Sequence, residues 1–257
     1  MPSTQRDNPG VGERPTMARY FVLSWLCAAA TVAYIQRNSI AVVESTIRDD
    51  LGLSERQMGL ILGTFFLTYG LFQIPGGRIG DRWGARLALP VLSLLWSVAT
   101  VVTAAVGFGL LAQRDNSSSL TGGWVLGAFV ALVTARLVAG AAQAGIFPCS
   151  AVVIHGWFPG SHWALATGWL GAFQQVGGVI AASLTGLLVW CGLGWPLILL
   201  LYSLPGFVWA IAYFGWFRDD PRDHSGVNAA ELELIAVFKR HPFAAGSSTP
   251  PADSGDV

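Results

Sequence analysis

The apolar positions of this chain come in long blocks. Six stretches, roughly residues 20–43, 58–79, 87–111, 123–150, 165–190 and 195–217, are mostly hydrophobic, and short polar or glycine-rich segments separate them. A helix needs about 20 mostly apolar residues to cross a bilayer, and inside hydrocarbon only helices or closed barrels satisfy every backbone polar group. The pattern predicts an all-α integral membrane protein with six transmembrane helices within residues 19–217. The flanks read differently. Residues 1–18 and 218–257, the latter ending in "AAGSSTPPADSGDV", are rich in polar, Pro, Ser and Gly positions, as expected of a disordered N-terminus and of a linker with a disordered tail.

Composition supports the same class. Of 257 residues 53% are hydrophobic and only 12% charged, with 31 Gly and 11 Trp, which excludes an ordinary soluble domain. Lys and Arg in short loops stay on the cytoplasmic side. One side of the predicted bundle collects Arg6, Arg14, Arg19, Arg78, Arg82, Arg86, Arg218, Arg222, Lys239 and Arg240, and the other only Arg48, Arg56 and Arg114. Both termini are therefore expected in the cytoplasm of a cell carrying this multi-pass protein in its membrane. The segment before the first span is long and polar, and Leu26 stands where a lipoprotein site would want a small residue before Cys27, so no cleaved signal peptide is expected. Cys27, Cys149 and Cys191 lie in apolar spans without metal-ligand spacing and read as small core residues.

Against this background the polar residues inside spans stand out. Arg37 lies within "VAYIQRNSIAVV" in the first span, and Arg136 within "LVTARLVAGAAQAGIFP" in the fourth. Arg37 is about 25 Å along its helix, past the midplane, so snorkelling to the headgroups is geometrically possible. The competing reading is that it faces a polar cavity, because an intramembrane charge costs several kcal/mol. Arg136, Gly140, Gln143 and Phe147 share one helical face. No Asp or Glu occupies the apolar centre of any span, and Glu44 is about 10 Å further out than Arg37. Two arginines without a carboxylate make a positive cavity of low dielectric, which favours an anion, and arginine's planar fork of donors suits a carboxylate or phosphate. The first and fourth spans each open a three-helix unit, the arrangement of a transporter built from repeats with its site between them.

Other features have quieter readings. Gln174 and Gln175 either line a site or bond helix to helix. The glycines of "GGVIAASLTG" allow close helix packing, and Trp157, Trp163, Trp190, Trp195 and Trp216 fit interfacial belts. His155, His162, His224 and His241 sit in loops or the tail. No nucleophile-base pair, phosphate loop or metal constellation emerges, so neither an enzyme nor a cofactor is expected, and no nucleic-acid partner.

Between the second and third spans, "GGRIGDRWGAR" supplies Gly77, Asp81, Arg82, Gly84 and Arg86 in one short turn. Here the chain resembles the major facilitator superfamily, whose signature at this place is G-x-x-x-D-R-x-G-x-R. Further motifs are similar to its anion:cation symporter branch, which includes hexuronate, galactonate and sialin-like organic-anion carriers. Tyr34, Gln36, Arg37 and Asn38 match the branch's helix-one motif. Gln73, Pro75, Gly76 and Gly77 match its helix-two end, and Arg136, Gly140, Gln143, Ala144, Phe147, Pro148, Trp157, Phe158 and Pro159 its helix four. The resemblance implies one half of a twelve-helix fold, two three-helix repeats, covering residues 19–238. It implies that Arg37 holds a substrate carboxylate in a site lined by Tyr34, Tyr69 and Gln174, that Arg136 works with acidic partners during coupling, and that the charged turn serves gating. Two positions depart from the branch: Gln36 and Gln143 replace the usual helix-one Asp and helix-four Glu, and glutamine cannot titrate. Proton symport at these two positions is then ruled out. That leaves facilitated diffusion, exchange, another coupling ion, or carboxylates elsewhere. The expected partners are a small organic anion, the lipid bilayer and a second six-helix half or another copy of the chain. The competing reading is a truncated or regulatory membrane protein that does not transport.

Overall fold

In a computed structural model, residues 14–116 and 122–240 are described, with side chains through residue 113 and from 122 to 236. The expected disorder of residues 1–13 and 241–257, and the charges of Arg6, Arg114, Lys239 and Arg240, lie outside the described residues and side chains. The helices are α1 (Ala18–Val42), α2 (Glu44–Leu51), α3 (Glu55–Trp83), α4 (Ala85–Asn116), α5 (Gly122–Ala144), α6 (Ile146–Trp157), α7 (Trp163–Trp190), α8 (Trp195–Trp216) and α9 (Ala229–Arg240). Among the described residues six spans are long and apolar enough to cross a membrane, with α5 and α6 together forming the fourth.

Local sequence explains the boundaries. Ser54 and Gln57 close a reciprocal capping box at the start of α3, pairing backbone donors that the first turn would leave open. Gly52 ends α2 in the left-handed conformation, φ 64°, at no steric cost. The fourth span differs from its expected extent of 123–150. It continues to Trp157 and is broken at Gly145, because Pro148 has no N–H to give the carbonyl of Ala144. The segment after the sixth span carries α9.

Helix pairing follows a two-fold rule. The first repeat is α1, α3 and α4; the second is α5 with α6, then α7 and α8. α1 packs along α7, and α5 along α3, while α4 packs along α8. Exchanging the repeats maps the first pair onto the second and the third onto itself. Glycines allow the first two pairs to approach closely: a Cβ on Gly177 of α7 would meet the carbonyl oxygen of Thr31, and one on Gly140 of α5 that of Phe65. Apolar faces remain uncovered on the equivalent helices α3 and α7, including Phe66, Leu71 and Ile74 on one, and Trp169 and Val179 on the other.

Candidate functional site

Arg37 points into the bundle. Its Nε donates to Gln143 Oε1 on α5 at 3.0 Å, and its guanidinium carbon lies 4.3 Å from the ring centre of Tyr34, 4.4 Å from that of Tyr69 and 5.0 Å from that of Phe65. Tyr34 is one turn earlier on α1, and Phe65 and Tyr69 are one turn apart on α3 with their rings stacked at 6.0 Å. Three aromatic faces and an amide oxygen thus replace the water that a bare guanidinium would keep. The snorkelling reading does not describe this geometry. Gln143 is itself fixed, since its Nε2 donates to the carbonyl of Ala33 at 3.2 Å. Among the described residues the two terminal nitrogens of Arg37 have no hydrogen-bond partner, and the side chain is only half-buried.

Arg136 stands two turns before Gln143 on the same face of α5. It is 3% exposed, its Nε has no hydrogen-bond partner among the described residues, and its guanidinium carbon is 6.0 Å from the ring centre of Phe65. Phe65 was not among the expected site residues, although its spacing from Tyr69 was a signal for it. Gln36 does not join this cluster. It is buried on the other side of α1, where Thr100 of α4 donates to its Oε1 at 2.9 Å. Asn38 donates back to the carbonyl of Tyr34 at 2.9 Å and approaches Gly178 of α7, and Gln174 is half-buried on α7. Two grooves lead toward the α1 N-terminal end. One of about 540 Å³ runs between α1 and α7 past Thr31, Trp169 and Phe173. The other, about 480 Å³, connects Tyr69 and Gln73 with Gly77, Arg78 and Asp81 beside Pro148.

At that same end the charged turn is held by a residue that the sequence reading did not single out. Gly84 ends α3 with φ 75°, a conformation open to glycine, and a Cβ there would meet the Asp219 carboxylate. Asp219 accepts from the backbone N–H of Arg86 at 2.9 Å, so it caps the first turn of α4 where negative charge is favoured. Arg86 Nε reaches the carbonyl of Phe214 at 3.3 Å. Asp81 and Arg82 are exposed. A second carboxylate does the same for α1: the fully buried Glu231 of α9 pairs with Arg19 at 2.9 Å and accepts from the backbone N–H of Met17 at 3.3 Å. Asn228 caps α9 at the N–H of Glu231 and donates to the carbonyl of Arg14, a capping pattern legible in "NAAE". His224 completes this strap. It lies edge-on to Trp157 and Trp216, its Nδ1 accepts from the N–H of Gly226, and burial first, then Arg218, holds its pKa below the usual histidine value.

The family model of the Major Facilitator Superfamily matches residues 26–250. The chain is 32% identical over 217 residues to a probable sulfoacetate transporter of Cupriavidus necator, covering 84% of this chain and 46% of that protein. It is 29% identical over 231 residues to a D-galactonate transporter of Escherichia coli, covering 89% and 48%. Among solved structures, a bacterial homolog of the human lysosomal transporter Spinster, inward-facing and occupied, superposes with TM-score 0.62 at 25% identity, over 83% of this chain and 47% of that one. The chain spans about half the length of the curated relatives it matches.

Proposed function

Because the chain belongs to the Major Facilitator Superfamily, a family of non-enzymatic membrane carriers, we propose that it forms the amino-terminal half of a carrier that moves a small organic anion of carboxylate or sugar-acid type by alternating access. The observation that carries this reading is Arg37, a half-buried arginine caged by Tyr34, Phe65 and Tyr69 and steadied by Gln143, with its terminal nitrogens unpartnered among the described residues. Such a fork recognises a carboxylate through two parallel bonds. The relatives' sulfoacetate and D-galactonate point to the same ligand class. A second six-helix half, or a second copy, covers the apolar faces of α3 and α7 and closes the site. Asp81, Arg82 and the Gly77 and Gly84 turn then face that partner and serve gating. Gln174 and Asn38 line the α7 side of the cavity, Gln36 supports α1 from behind, and both termini lie in the cytoplasm.

The test is Arg37→Ala in proteoliposomes of the assembled carrier. A lost charge-assisted contact in a desolvated site costs about 2–5 kcal/mol, more than about 30-fold in affinity. Uptake of galactonate or sulfoacetate that survives Arg37→Ala unchanged would remove the anchor and, with it, this reading of the site. Insertion without uptake of any organic anion by the wild type would favour a partner-binding, non-transporting role.

A further inference from the structure

Building on that reading, we propose that Arg37 and Arg136 form a two-point site for a compact dianion, one acidic group to each guanidinium. The two guanidinium carbons lie 5.0 and 6.0 Å from the centre of the same ring, that of Phe65, so they are at most 11.0 Å apart, the sum of those distances. Among the described residues neither has a carboxylate partner. The polar partner of Arg37 is the uncharged amide of Gln143, while Arg136 is 3% exposed with a buried Nε that bonds to nothing among the described residues. The one buried carboxylate among them, Glu231, is committed to Arg19 at the far end of the bundle. A buried, unpaired guanidinium is costly, and proteins pair such charges or turn them toward a polar cavity.

A monoanion relieves one of these charges and leaves the other. A dianion relieves both, and each arginine raises the other's attraction for it because the intervening Phe65 and the small residues Ala135, Ala139 and Gly140 keep the local dielectric low. Gln143 and Gln36 carry no carboxylate, so neither position supplies a negative charge that would compete with a bound anion for the arginines. This half of the site therefore suits dicarboxylates and sulfocarboxylates over monocarboxylates of equal size.

The experiment compares D-gluconate with D-glucarate, which share a six-carbon polyol chain and differ by one carboxylate, in equilibrium binding to the assembled carrier at pH 7. For the wild type, glucarate should bind about 10- to 100-fold more tightly. Arg136→Gln should bring the two within about threefold by weakening glucarate far more than gluconate, and Arg136→Lys should restore part of the preference. Equal affinities in the wild type overturn the inference while Arg37-dependent binding keeps the anion-carrier reading intact. So does an Arg136→Gln carrier that keeps its preference, or one that loses both ligands equally, as expected if Arg136 serves a fixed carboxylate of the second half. Absence of binding by either anion overturns the carrier reading together with the inference.

Discussion

At the scale of the residue, the questions concern how Arg37 is held. Its cage is built from residues on three helices, and the proposed recognition rests on the fork geometry, so Arg37→Lys should weaken anion binding even though the charge remains. The expected loss is about 1–2 kcal/mol, roughly 5- to 30-fold, because an ammonium gives a point charge and stacks less well on Tyr34 and Tyr69. Isothermal titration of the assembled carrier with galactonate checks this, and an unchanged affinity would return Arg37 to a merely structural role. Gln143→Glu tests the same contact from the other side. A carboxylate at 3.0 Å from Arg37 Nε would compete with substrate when ionised and release the arginine when protonated, so anion affinity should become pH-dependent in the variant and stay flat in the wild type between about pH 5 and 8 as far as these groups decide it.

At the scale of the element, two close crossings position the site, and one strap holds the N-terminal end of α1. Gly177 lets α7 lie against α1 with no room for a Cβ, which would meet Thr31 and the Cβ of Tyr34 at 2.9 Å. Gly177→Leu should therefore push Tyr34 out of the Arg37 cage and reduce anion affinity without touching the arginine, whereas Gly178→Ala, in ordinary contact with Asn38 at 3.5 Å, should be tolerated. Equal affinities for both variants would show that the crossing does not govern the cage. The strap of α9 is expected to respond to pH through His224, which burial first and then Arg218 disfavour in its protonated form, while its Nδ1 accepts from the N–H of Gly226. Its pKa is depressed below the ordinary value of 6.5, so the unfolded or detached strap binds the proton more readily. The contribution of His224 to the strap's stability is then fully present above about pH 6.5 and is lost as pH falls through its depressed pKa. Hydrogen exchange in α9 should accelerate on acidification from pH 7 to 5, and His224→Gln should flatten that dependence.

At the scale of the molecule, a six-helix bundle with Phe66, Leu71, Ile74, Trp169 and Val179 exposed on α3 and α7 leaves the half-buried Arg37, the proposed anion anchor, without a covering second half. One half alone cannot surround a ligand, and that arginine would otherwise meet lipid, where charge is costly. Purified chain should accordingly self-associate or capture a six-helix partner, seen as a shift of mass in light scattering with the detergent contribution removed. A stable monomer that binds galactonate with full affinity would contradict the need for a second half.

What the sequence determined by itself is what hydrocarbon enforces. Long apolar blocks have to become helices, so six spans, their approximate limits and the charged turn between the second and third were all readable, as were Arg37 and Arg136 as the exceptional charges. The pairing of helices was decided by tertiary structure, because in lipid it depends on shape at Gly140 and Gly177 and not on an apolar stripe. For that reason Gln36 and Arg37, adjacent in the chain, went to different neighbours, one to Thr100 and the other to Gln143. Phe65 became the ring shared by both arginines through the same packing. Asp219 and Glu231 were not singled out in the sequence; the fold brings them to the N-terminal turns of α4 and α1, where open backbone N–H groups and the helix dipole give a carboxylate its place.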